Sequence, residues 1–130
     1  MGQISIKVYE YKACSTCRKA LQYLDGKKVV YQKLPIVEQP PTKAELKKML
    51  GFIKKRDVKK RDDLFKDLFN TSGVQYRELG ISHKIKAGMT EEQAMDLLAK
   101  NGKLIKRPFL LLENDGAVGF KPELWSEILS

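Results

Sequence analysis

The chain has 130 residues, 42% hydrophobic and 32% charged, enough for one domain with its own core and too few for two full-sized ones; that composition argues against disorder, a disulfide scaffold or a fold that needs a metal. Lys and Arg number 25 against 16 Asp and Glu, a net charge of +9, which favours anionic partners; the lysines are scattered along helix-like segments with no stacking aromatics, so they read as a solvated surface and not as a direct nucleic-acid face. No apolar run approaches the roughly 18–20 residues of a membrane span, and the start lacks a signal-peptide core, so the expectation is a cytoplasmic protein with no membrane partner.

In chain order, Ile4, Ile6 and Val8 alternate with Ser5 and Lys7, predicting a strand with one buried face that continues into Tyr9. After Cys14-Ser15-Thr16-Cys17, the residues Cys17, Ala20, Leu21 and Leu24 recur at helical spacing, and Gly26 stands where a helix would stop. Val29 to Leu34 is β-branched and bounded by Pro35, predicting a second strand and hence a βαβ unit. Pro40-Pro41 then break the chain, and Thr42 with Glu45 forms a capping box for a helix carrying Leu46, Met49, Leu50 and Ile53. Lys54 to Lys60 reads as a charged, exposed connection. Leu64, Phe65, Leu68 and Phe69 form a second apolar helical series, ended by Asn70-Thr71-Ser72-Gly73. Thr90 to Gln93 is another capping box, opening a helix with Ala94, Leu97 and Leu98 that ends at Asn101-Gly102. Phe109 to Leu112 predicts a strand buried on both faces. Asn114-Asp115-Gly116 signals a hairpin to a partner at Val118 to Phe120, and Pro122 opens a last helix with Leu124, Trp125, Ile128 and Leu129.

Both cysteines of the chain lie in the Cys14/Cys17 pair, at the junction between the first strand and the first helix, where βαβ units bind ligands. A thiolate is the reactive form of cysteine, and a helix N-terminus favours the anion through its unpaired N–H groups. Cys14 in the first turn gains from this, with Arg18 and Lys19 adjoining. Cys17, three residues on, lies deeper on the same helical face and could resolve a mixed disulfide formed on Cys14. The N–H groups of the turn, at Ser15 and Thr16, could also hold an oxyanion. Two readings compete with this one. A pair of inert cysteines facing the core has the same spacing. Zinc would need four ligands, and the one histidine, His83, stands apart, so no metal is expected.

Six segments together carry a resemblance: Tyr11 to Ala20, around the cysteines; Pro40 to Leu46; Phe69 to Gly73; Tyr76 to Gly80; Leu104 to Pro108; and Gly119 to Pro122. On these the chain resembles the ArsC/Spx family from Ile4 to about Leu129. The resemblance implies an α/β, thioredoxin-like (glutaredoxin-like) fold: a mixed sheet in a core of about 1–38 and 103–130, with a helical subdomain inserted at about 39–102. It implies Cys14 as the catalytic cysteine, with Pro108 cis opposite the cysteine loop. It implies no bound cofactor, with glutathione, a glutaredoxin or a thioredoxin supplying electrons. Glutaredoxin-linked arsenate reductases of this family surround the cysteine with three arginines. Here Arg107 matches one, Asn70 stands at the position of the first and Lys121 at that of the third, and Cys17 replaces a serine. The implied substrate is a small oxyanion or a disulfide, met by Ser15, Thr16, Arg18, Asn70, Pro108 and Lys121. The alternative is the Spx branch, whose members carry C-x-x-C as a redox switch and bind the C-terminal domain of the RNA polymerase α-subunit.

Overall fold

The computed structural model describes residues 6–130. Ile4 and Ser5 of the first predicted strand lie outside the described residues. The strand itself, β1, spans Lys7–Glu10, followed by helix α1 at Ser15–Gly26 and the parallel strand β2 at Gln32–Pro35. Two further strands, β3 at Phe109–Leu111 and β4 at Gly116–Val118, join on the other side of β1, both pairings antiparallel. The order β2-β1-β3-β4 is a mixed sheet of the thioredoxin-like kind.

Side-chain alternation along the strands sorts the core into two. Ile6, Val8, Leu110 and Ala117 meet Ala20 and Leu24 of α1 and Trp125 and Ile128 of α6, the last helix (Pro122–Leu129). Tyr9, Phe109 and Leu111 face the opposite way, onto the helical segment between β2 and β3. Phe109, Leu110 and Leu111 are thus buried on both faces of the sheet, as their unbroken apolar run predicts.

That helical segment comprises α2 (Lys43–Arg56), a 3-10 turn (Leu64–Leu68), the short helices α3 (Val74–Glu78) and α4 (Ile81–Lys86), and α5 (Glu91–Lys100). Both predicted capping boxes form. Thr42 accepts from the Glu45 N–H and Thr90 from the Gln93 N–H, each at 3.1 Å. Ion pairs join α2 to α5, with Lys43 on Glu92 and Asp96 and Lys54 on Glu91. None of the described helices is long and apolar enough to cross a membrane.

Several boundaries differ from the sequence expectation. Val29 and Val30 precede β2 instead of belonging to it, and Val30 is 84% exposed. β2 is an edge strand whose pairing runs from Lys7↔Gln32 to Glu10↔Pro35, so β1, and not β-propensity, sets where it starts; Pro35 is tolerated because the outer side needs no donor. Gly26 is the last residue of α1, and Lys28 supplies the left-handed turn (φ 58°) that follows. Lys54 to Arg56 complete α2 instead of forming an exposed connection, held by the Lys54 pair and by Arg56 on Asp115 at 2.7 Å. The apolar series from Leu64 forms only a 3-10 turn, Leu64–Leu68, and Phe69 leaves it to bridge Ile105. β4 runs from Gly116 to Val118: Gly119 takes φ 76° and ends it, freeing Phe120 to pack on Tyr23 and Trp125.

Glu45 ties α2 to the sheet. Besides its capping bond, its carboxylate accepts from Tyr9 Oη at 2.7 Å and Lys7 Nζ at 2.9 Å. Burial pushes the Glu45 carboxyl up, but these donors more than offset it and hold it below the usual carboxylate range. The folded chain therefore binds this proton more weakly than the unfolded chain does. The stabilisation is fully present above the unfolded value of about 4.3 and is lost as pH falls through the lower folded value. Glu45→Gln should cost about 1–2 kcal/mol at neutral pH, from the weakened cap and charged hydrogen bonds. It should also flatten the acid limb below about pH 4.3. Urea melts across that range check both, and an unchanged acid limb would refute the assignment.

Candidate active site

Cys14 is the N-cap residue of α1, with extended backbone (φ −94°, ψ 115°). Its own N–H donates to the Tyr11 carbonyl at 3.0 Å, which closes the Tyr11–Cys14 loop. Its Sγ accepts the N–H of Cys17 at 3.3 Å. The sulfur thus does what a Ser or Asp oxygen does at an ordinary cap, and it meets the positive end of the helix. The N–H groups of Ser15 and Thr16, in the same first turn, have no carbonyl one turn back to donate to; the Ser15, Thr16 and Arg18 side chains are exposed.

The two thiols have different surroundings. Cys14 is half-buried, whereas Cys17 is fully buried; both are free. Burial pushes the Cys17 thiol up to about 12, and the nearby Cys14 sulfur and the charge of Glu10 push in the same direction, against a lowering backbone hydrogen bond from Tyr11. Cys17 is therefore a neutral thiol at physiological pH, lying beneath an accessible one.

Arg107 reaches the loop through Tyr11, with its guanidinium carbon 4.5 Å from the centre of the tyrosine ring. The Arg107–Pro108 peptide is cis, and Pro108 is buried, its carbonyl accepting from Gly119 at 2.8 Å. The segment before Arg107 is anchored to the helical region: Lys106 N–H donates to Leu68 O at 2.8 Å and Asn70 N–H to Leu104 O at 2.7 Å. Among the described residues, Arg107 Nη1 is the buried side-chain atom that donates to nothing in the chain. Leaving a charged donor so is costly, and an anionic acceptor is the group that would satisfy it.

The structure places Asn70 beside Gly73 and Lys121 at the start of α6. The Asn70 amide lies over Gly73, with Nδ2 2.8 Å from where a Cβ on that glycine would be. Lys121 is exposed, caps α6, and lines a groove of about 370 Å³ with Arg56, Arg61 and Lys106, in which no residue of the cysteine loop takes part. A different opening, of about 310 Å³, adjoins the loop and is lined by Glu10, Tyr11, Lys12, Pro35 and Glu38.

Two participants do not stand out in the sequence as site residues. Tyr11 belongs to the motif around the cysteines, but its stacking on Arg107 depends on the fold. Glu10 does carry a signal: it continues the Ile6, Val8 phase of β1, so it puts a charge where alternation demands an apolar residue.

The ArsC family model matches residues 9–128. The uncharacterized protein YusI of Bacillus subtilis is 40% identical over 124 residues, covering 95% of this chain and 98% of that protein. The global transcriptional regulator Spx of Streptococcus pyogenes is 29% identical, covering 85% of this chain and 75% of its own. Among solved structures, an ArsC family related protein from Bacteroides fragilis is 41% identical with a TM-score of 0.82, covering 95% of this chain and 96% of its own. One described as a possible arsenate reductase from Streptococcus mutans is 31% identical with a TM-score of 0.77, covering 95% and 99%.

Proposed function

We infer that this chain, which belongs to the ArsC family, is a thiol-dependent oxidoreductase in which Cys14 attacks a small oxyanion or a disulfide and Cys17 resolves the product. The observation that carries this reading is the asymmetry of the pair: an accessible sulfur capping α1 and a neutral thiol buried one turn below it.

With a disulfide substrate, the Cys14 thiolate attacks one sulfur, a mixed disulfide forms, and the other sulfur leaves as a thiolate. Cys17 then attacks Cys14 Sγ, forming the Cys14–Cys17 disulfide and releasing the bound half. With arsenate, Cys14 displaces water from arsenic(V). A second thiol, Cys17 or glutathione, attacks the Cys14 sulfur, and arsenic leaves with the electron pair as arsenic(III). Either route oxidises two thiols, and glutathione, a glutaredoxin or a thioredoxin returns the protein to its reduced state. The first-turn N–H groups and Arg107 Nη1 are the donors available to an oxyanion.

The test is NADPH oxidation coupled through glutathione reductase and glutaredoxin, with arsenate and with a small disulfide as alternative substrates. Arg107→Lys keeps the charge but loses the planar fork, so arsenate turnover should fall roughly 10- to 100-fold while disulfide turnover changes little. An equal loss on both substrates would remove Arg107 from oxyanion binding. No turnover of either substrate by folded, reduced protein would sink the oxidoreductase reading.

A second reading is favoured by the relatedness to the regulator Spx: a redox-gated binding protein whose cysteine pair tunes affinity for the carboxyl-terminal domain of the RNA polymerase α-subunit. Titration of that domain against reduced and oxidised protein tests it, and no complex in either state would remove it.

A further inference from the structure

The main chain is fixed on both sides of Arg107: Lys106 N–H donates to Leu68 O, and the Pro108 carbonyl accepts from Gly119, each at 2.8 Å. Only the torsions of the long arginine side chain are then left to be set. The ion pairs of the described residues all join other side chains, and Arg107 Nη1 is buried without an acceptor. What the guanidinium does meet is the Tyr11 ring, whose centre lies 4.5 Å from its central carbon. A carboxylate would hold the arginine as firmly, but it would occupy the in-plane N–H donors and offset the charge. An aromatic face touches the guanidinium from outside that plane and leaves donors and charge free. Tyr11 also closes the cysteine loop, since the Cys14 N–H donates to its carbonyl at 3.0 Å. That bond belongs to the main chain, so replacing the tyrosine side chain removes the ring and leaves the loop closed.

We propose that Tyr11 is the positioning residue for Arg107, a role that rests on the oxyanion binding by Arg107 inferred above. Its ring holds the guanidinium so that the in-plane donors are offered to an oxyanion, and it does so without neutralising the charge. The donors are thus arranged before the anion arrives, and binding does not have to freeze a rotamer-rich side chain. A neutral disulfide makes no use of these donors. Tyr11 therefore sets how well the site takes a tetrahedral oxyanion and has little bearing on disulfide exchange at Cys14, which makes it a determinant of specificity between the two substrate classes.

Inorganic phosphate, a tetrahedral oxyanion that thiols do not reduce, separates binding from turnover. In nitrogen-15-labelled, reduced protein the Arg107 Nε–Hε resonance should carry a ring-current shift and should move, with saturation, as phosphate is added. Tyr11→Leu should abolish the ring-current shift and weaken phosphate binding about 5- to 10-fold, the scale of a partly buried cation–π contact. Tyr11→Phe keeps the ring and should bind phosphate as wild type does. Turnover of a small neutral disulfide should stay within about twofold of wild type in both variants, whereas a distorted cysteine loop would lower it together with phosphate binding. Tyr11→Gln, equally without a ring, stands in if the leucine variant does not fold. Wild-type phosphate affinity in the ringless variant, a loss in Tyr11→Phe as large as in Tyr11→Leu, or parallel losses of phosphate binding and disulfide turnover would each overturn the proposal. If Arg107→Lys weakens phosphate binding and Tyr11→Leu does not, the positioning role alone falls. An Arg107 resonance that phosphate leaves unmoved in wild type would overturn both that role and the oxyanion binding on which it rests.

Discussion

Replacing Cys14 with serine should reduce turnover on arsenate and on disulfides by about 10³-fold or more, because the residue supplies the attacking atom and not merely an environment for it. A serine hydroxyl at the same cap is a poor nucleophile and cannot form a disulfide. The fold should survive: Cys14 is the N-cap of α1, and serine is among the preferred N-cap residues. Cys14→Ser should therefore melt within about 1 kcal/mol of wild type, the scale of a single cap. Coupled NADPH oxidation alongside a urea melt separates the two effects. Turnover above a small fraction of wild type, in a variant shown to be free of wild-type protein, would mean that Cys14 is not the nucleophile.

Gly102→Ala should give the largest loss of stability, on the order of 3 kcal/mol, the upper end for forced overpacking. A Cβ at this position would lie 1.8 Å from the Ile36 carbonyl oxygen and 2.8 Å from its carbon. Backbone thus meets backbone, and no rotamer relieves the contact. Ile36 in turn donates its N–H to Glu10 O at 2.9 Å, so the displacement would pass to the end of β1 and toward the cysteine loop. Gly51→Ala is the control. It lies inside α2 with nothing within 4 Å of a Cβ, so the change should stabilise by roughly 0.5–1 kcal/mol. Urea denaturation of the two variants gives shifts of opposite sign; a neutral Gly102→Ala would show that the segment after α5 can move away from Ile36.

The amino-acid sequence by itself determined the features whose causes lie within about one helical turn. Thr42 with Glu45 and Thr90 with Gln93 form their boxes because both partners are three residues apart. The reading of Cys14 at a helix start needed only the apolar spacing of Cys17, Ala20 and Leu24, and Pro122 opens α6 for equally local reasons. The hairpin turn between β3 and β4 was also legible, although its register was not: the left-handed Gly119 ends the strand before Phe120. What only the tertiary structure decided involves partners far apart in the chain. The start of β2 follows its ladder with β1, not the β-branched pair Val29 and Val30. The 3-10 turn before Asn70 gives way at Phe69 because Ile105 is there to bridge it. The short helices α3 and α4 span too few residues for a periodic pattern to emerge. At the candidate site, Arg107 finds its place by stacking on Tyr11, and Glu10 is buried at the end of β1. Local chemistry thus sufficed to propose the nucleophile. The groups that would receive its substrate's charge depend on contacts between distant segments, whose energies are set only once both sides of the sheet are packed.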